Sequence, residues 1–132
     1  MPGCVLRVSG SDKKIRKFLS TSPFDPSAVF YKGERRFPKD KRVCKQSGFN
    51  LLLSGAEGLP KQAEGAVRFM KRDKEEFHRM KSFGLKSATI DFGLYDIATE
   101  EHPWPTYQLP AKLVKLAAEY NFKIELSFYG EA

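Results

Sequence analysis

Residues 86–96 read KSATIDFGLYD, and every second side chain is of one kind. Ala88, Ile90, Phe92 and Leu94 make one row; Thr89, Asp91, Gly93 and Tyr95 make the other. A two-residue period belongs to an extended strand, whose successive side chains leave opposite faces. Such a strand is stable in a sheet with one apolar, covered face and one polar face. An all-helical fold is therefore excluded.

The same period recurs elsewhere. CVLRVSG (4–10) puts Cys4, Leu6 and Val8 opposite Val5, Arg7 and Ser9. AVFYKGE (28–34) and SGFNLLLSG (47–55) read as two more strands. FKIELSFYG (122–130) closes the set, with Phe122, Ile124, Leu126 and Phe128 on its apolar face. Between these runs the period changes. Ile15, Phe18 and Leu19 share one side of a helix that Ser11 or Asp12 can cap. STSPFDPS then breaks it with two prolines.

From Leu59 a longer stripe runs through Ala63, Ala66, Val67, Met70, Phe77 and Met80, interrupted at Asp73-Lys74. Pro60 suits its first turn and Gly84 its end. LPAKLVKLAAEY is a third helix, which Asn121 can end. The order β-α-β-β-α-β-α-β predicts an α+β fold: a two-layer sandwich, mainly one sheet covered on one face by helices. Residues 1–132 read as a single domain, with no repeat or low-complexity linker.

Covering one face leaves the other to display Arg7, Asn50, Asp91, Tyr95, Lys123, Glu125, Ser127 and Tyr129. Asp91 and Glu125 on neighbouring strands could form an acid–base pair. They could equally pair across strands with Lys123 or Arg7. Exposed tyrosines on a sheet also mark binding surfaces.

Charge points to the first third of the chain. Residues 1–46 hold twelve Lys and Arg against four acids, whereas residues 47–132 hold eleven against twelve. KGERRFPKDKRVCKQ (32–46) alone carries seven cations, among them Arg35, Arg36, Lys41 and Arg42. It predicts a mobile, exposed excursion between two strands that meets an acidic protein surface. Phe37 is its only ring, whereas single-strand binders interleave several rings with their cations. Nucleic-acid binding through 32–46 is the alternative, since such a charge density also holds a phosphate backbone.

Candidate chemistry is sparse. His78 follows Glu75 by three residues, and no HExxH run completes a metal set. His102 lies in the proline-rich EEHPWPTY. Cys4 and Cys44 lack CxxC spacing, which fits a reduced cytoplasmic pair. Neither GxxxxGK[ST] nor GxGxxG is present, and no cofactor is expected. No apolar run is long enough to span a membrane, and MPGCVLRVSG has no signal-peptide pattern. HPWPTY holds the single tryptophan, so Trp104 and Tyr107 could anchor an interface. Trp104 could instead fold back as a lid.

LRVSG, YKGERRFP, SGFNLLLSG, ATIDFGLYD and LPAKLVKLAAEYNFKIELSFYG cover most of the chain. On these motifs it resembles an uncharacterised bacterial family of small domains, catalogued as domain of unknown function number 4279. The resemblance implies a protein without a recognised catalytic set. It also implies an immunity protein, since some small bacterial families of this type bind and neutralise a cognate toxin. The expected function is thus cytoplasmic, non-enzymatic protein binding, with 32–46 supplying encounter charge and exposed aromatics the anchors. An enzyme built on Asp91 and Glu125 is the second alternative.

Overall fold

The computed structural model describes residues 3–35, 38–39, 41–85, 87–95, 100–101 and 103–129. In chain order the elements are β1 (Gly3–Gly10), α1 (Asp12–Thr21), β2 (Ala28–Phe30), β3 (Ser47–Ser54), α2 (Leu59–Arg72), α3 (Lys74–Ser82), β4 (Ser87–Leu94), α4 (Ala111–Glu119) and β5 (Lys123–Phe128). The fold is α+β: a five-stranded mixed sheet in the order β2-β3-β1-β4-β5, with helices packed against one face.

The alternating rows decide which face is covered. Cys4, Leu6, Val8, Phe49, Leu51, Leu53, Ile90 and Phe92 are buried beneath the helices. Ile15 and Phe18 of α1, Ala63, Ala66 and Met70 of α2, and Leu113 and Ala117 of α4 close over them. Rings fill the middle: Phe18 stacks on Phe49 at 5.8 Å, and Phe77 meets Phe24, Tyr120 and Phe122 within 5.2–5.9 Å.

Of the two candidate caps, Ser11 caps α1 by accepting from the Lys14 amide. Asp12 turns aside to accept from Arg16 and from the Ser47 hydroxyl. The stripe from Leu59 to Met80 forms two helices where one was expected. No apolar residue follows Met70 by three or four positions, so nothing ties that turn to the core. The chain leaves helical geometry at Asp73 (φ −107°, ψ 30°) and re-enters with Phe77 and Met80 facing inward. Gly84 (φ +65°) and Asn121 (φ +61°) take the left-handed conformation that ends a helix.

Register fixes what meets what. β1 is antiparallel to β3 and β4, and β5 is parallel to β4, so β3, β4 and β5 finish at one end of the sheet. β2 is antiparallel to β3 with Phe30 facing Gly48, so the basic segment leaves and rejoins the sheet at the opposite end, at the opposite edge.

Candidate functional site

Three adjacent strands bring four of the outward side chains together. In the ladders Val5 faces Asp91, Arg7 faces Thr89, and Asp91 faces Glu125. A long guanidinium on β1 therefore reaches diagonally to both carboxylates. Arg7 Nη1 donates to Asp91 Oδ2 at 2.8 Å, and Nη2 donates to Glu125 Oε2. The Ser127 hydroxyl donates to Asp91 Oδ1 at 2.6 Å.

Both carboxylates are thus engaged by one cation, and Asp91 is only 6% exposed. The expectation of an open Asp91 is corrected here: neighbours on β1 and β5 shield it on the uncovered face. Cross-strand pairing with Arg7, one of the two partners considered, accounts for both acids. Beneath them, burial and then the Asp91 carboxylate push the Cys4 thiol pKa upward, so that this side chain stays a neutral packing group.

The two acids should respond differently to neutralisation. Glu125→Gln is expected to change stability by less than about 1 kcal/mol, since Glu125 and Arg7 are both half in water. Asp91→Asn is expected to cost about 1–3 kcal/mol, because a buried acceptor of two hydrogen bonds loses its charge. Urea unfolding of the two single variants checks this. Equal costs would contradict the shielding of Asp91.

The tyrosines close the same face where β4 and β5 finish. The Tyr129 amide donates to the Leu94 carbonyl at 2.8 Å, extending the parallel ladder by one step. That step sets the Tyr95 and Tyr129 rings together at 5.6 Å between centroids. Tyr129 is exposed, while Tyr95 is half-buried beside it. Trp104 is 84% exposed, so its ring does not fold back as a lid. Tyr107 lies on the helix side of the sheet, 5.5 Å from the Phe128 ring.

The basic segment is elsewhere, at the diagonally opposite corner. Arg35, Lys41 and Arg42 are exposed there, while Arg36 lies outside the described residues, as do Phe37, Asp40 and His102. The expectation of a loose excursion needs correction at its base. Cys44 N–H donates to Glu34 O, Gly33 N–H donates to Cys44 O, and Arg35 bridges Val43. Ser47 locks the root by accepting from Lys32 N–H while donating to Asp12. The bond from Ser47, more than that from Arg16, holds the Asp12 carboxyl below its ordinary pKa. The Arg16 guanidinium in turn lies 3.8 Å over the Tyr31 ring.

His78 is paired with neither Glu75 nor a metal-type cluster. Its Nε2 lies 3.7 Å from Glu119 Oε1 and its ring meets Tyr120. Among the described residues no three His, Cys, Asp or Glu side chains are grouped as metal ligands. A groove of about 930 Å³ opens between the first turns of α2 and α4, against Leu59, Pro60, Tyr107 and Leu109; among the described residues its lining holds no carboxylate, histidine, lysine or cysteine. Among the described residues, no helix is long and apolar enough to cross a membrane.

Seven of the nominated residues therefore form two surfaces, with Tyr107 apart on the helix side and Trp104 in the same loop. Asp91, Glu125, Tyr95 and Tyr129 share one, and Arg35, Lys41 and Arg42 the other. Phe128 was missed as a surface residue, because alternation puts it on the covered side although α4 does not reach it; it is 55% exposed. No protein-family model, curated protein or solved structure matches this chain.

Proposed function

We propose that this is a non-enzymatic protein-binding domain that acts in the cytoplasm as a bacterial immunity protein, in keeping with the resemblance to domain of unknown function number 4279. It occludes a cognate toxin with the uncovered face of its sheet. The supporting observation is the paired tyrosines, Tyr95 and Tyr129, mounted beside a pinned Arg7–Asp91–Glu125–Ser127 network. Rings held on a stiff sheet lose little entropy when a partner covers them, and such aromatics dominate interface energetics. Trp104 supplies a further exposed anchor. The basic corner lies too far round the sheet to share that patch. Its part is to draw in an acidic partner, which raises the association rate and makes it salt-dependent.

Co-expression with the toxin encoded beside its gene should restore growth, and the two chains should co-purify as a stable complex. The Tyr95→Ala/Tyr129→Ala variant should bind that toxin at least about 30-fold more weakly, the loss expected of a 2 kcal/mol hot spot. Unchanged affinity with both rings removed would sink the reading. The nucleic-acid alternative keeps one supporting observation, the exposed Arg35, Lys41 and Arg42 on a hydrogen-bonded base. Submicromolar, sequence-dependent oligonucleotide binding near physiological salt, lost when these become Gln, would favour it instead.

A further inference from the structure

The sheet has two edges, and they are finished differently. β2 is three residues long and leads straight into the basic segment, and shortness and charge are the usual ways of blunting an edge. β5 is six residues long, has no proline, and carries Phe128 largely in solvent. In a parallel ladder, alternate residues turn both backbone groups toward the neighbouring strand. The Tyr129 amide turns to β4, so by alternation Lys123, Glu125 and Ser127 face β4 as well. Ile124, Leu126 and Phe128 then present their amides and carbonyls to the open side. Among the described residues, no hydrogen bond reaches that side.

We infer that the open side of β5 pairs antiparallel with β5 of a second copy of this chain, on a two-fold axis through Leu126. Side chains choose that register. Opposed residues must lie on the same face, so only same-parity pairings are allowed. An axis at Glu125 sets two carboxylates directly opposite each other, which is destabilising. An axis at Ile124 leaves Phe128 beyond the other strand's end. An axis at Leu126 sets Leu126 against its own copy and Phe128 against Ile124, covering the exposed ring. On the polar face it sets Glu125 against Ser127 and Lys123 against Tyr129. The residues that meet on the apolar face are those with free backbone groups, so each opposed pair exchanges two bonds.

The result is one continuous sheet of two copies. It closes as a dimer because the β2 edges are blunt. The uncovered faces stay open and lie side by side, so the tyrosine pairs remain available to a partner. This inference is independent of the immunity reading, and chain mass alone tests it.

Light scattering on the purified full chain should give twice the 15.0 kDa of one copy. Phe128→Pro removes an amide that faces away from β4, so the fold should persist by circular dichroism. Dimerisation should weaken at least about 30-fold, because two bonds are lost per dimer. Leu126→Cys should cross-link to its own copy under mild oxidation, since facing bonded residues have Cα atoms about 5.5 Å apart. Ile124→Cys, set opposite Phe128, should not. A parent that stays monomeric overturns the inference. So does a dimer indifferent to Phe128→Pro, or one that cross-links at 124 in place of 126.

Discussion

Phe77→Ala is expected to lower stability by about 3–5 kcal/mol, the range for removing a fully buried aromatic ring. Helix α3 buries only Phe77 and Met80, so its attachment rests largely on that one ring. The ring is fully buried and meets Phe24, Phe69, Tyr120 and Phe122, which come from the loop after α1, from α2 and from both sides of the α4–β5 turn. Alanine leaves a cavity that four separate segments would have to collapse into together. Against a total stability of about 5–15 kcal/mol, this loss is severe. The urea midpoint should fall with little change in slope. Trp104→Ala, at a ring 84% exposed, should cost less than about 1 kcal/mol. A Phe77→Ala loss as small as that would mean α3 is not held through this ring.

Gly48→Ala is expected to cost about 2–4 kcal/mol, and Gly55→Ala close to nothing. A Cβ at Gly48 would stand 2.3 Å from the Val8 carbonyl oxygen and 2.7 Å from the Phe30 ring. The oxygen belongs to β1 where Ser9 faces Gly48, so it cannot retreat without opening the β1–β3 ladder. Phe30 lies across the glycine from β2, and displacing it would strip a strand with only three residues of pairing. A Cβ at Gly55 meets nothing within 4 Å. Thermal unfolding of the two alanine variants checks the contrast. Equal midpoints would show that β1 and β3 are further apart at Ser9 than described.

Gly48 lies within β3 near its start and Gly55 just past its end, yet the two look alike in SGFNLLLSG. Only register separates them, and register is what a single sequence conceals most. Alternation assigned Cys4, Leu6, Val8, Ile90 and Phe92 to the covered face, because a one-residue slip would have moved each row into water. It assigned Asp91 to the other face, yet could not tell that Arg7 and Ser127 shield it there. That knowledge needs the order β1-β4-β5, set by contacts between distant parts of the chain. The break at Asp73 was legible as a gap in the stripe. The diagonal separation of the basic corner from the tyrosines was not, since strand direction leaves no local mark. Phe128 misled because its period matched the core while no helix extended far enough to cover it.

The proposed binding face is tested most directly by hydroxyl-radical footprinting of the free chain and of the chain saturated with its cognate toxin. The side chains of Tyr95, Tyr129 and Trp104 should become less reactive in the complex, while Val43 at the basic corner and Val114 on α4 should react as before. Unchanged reactivity of Tyr95 and Tyr129, with protection at Val43 or Val114, would contradict the account.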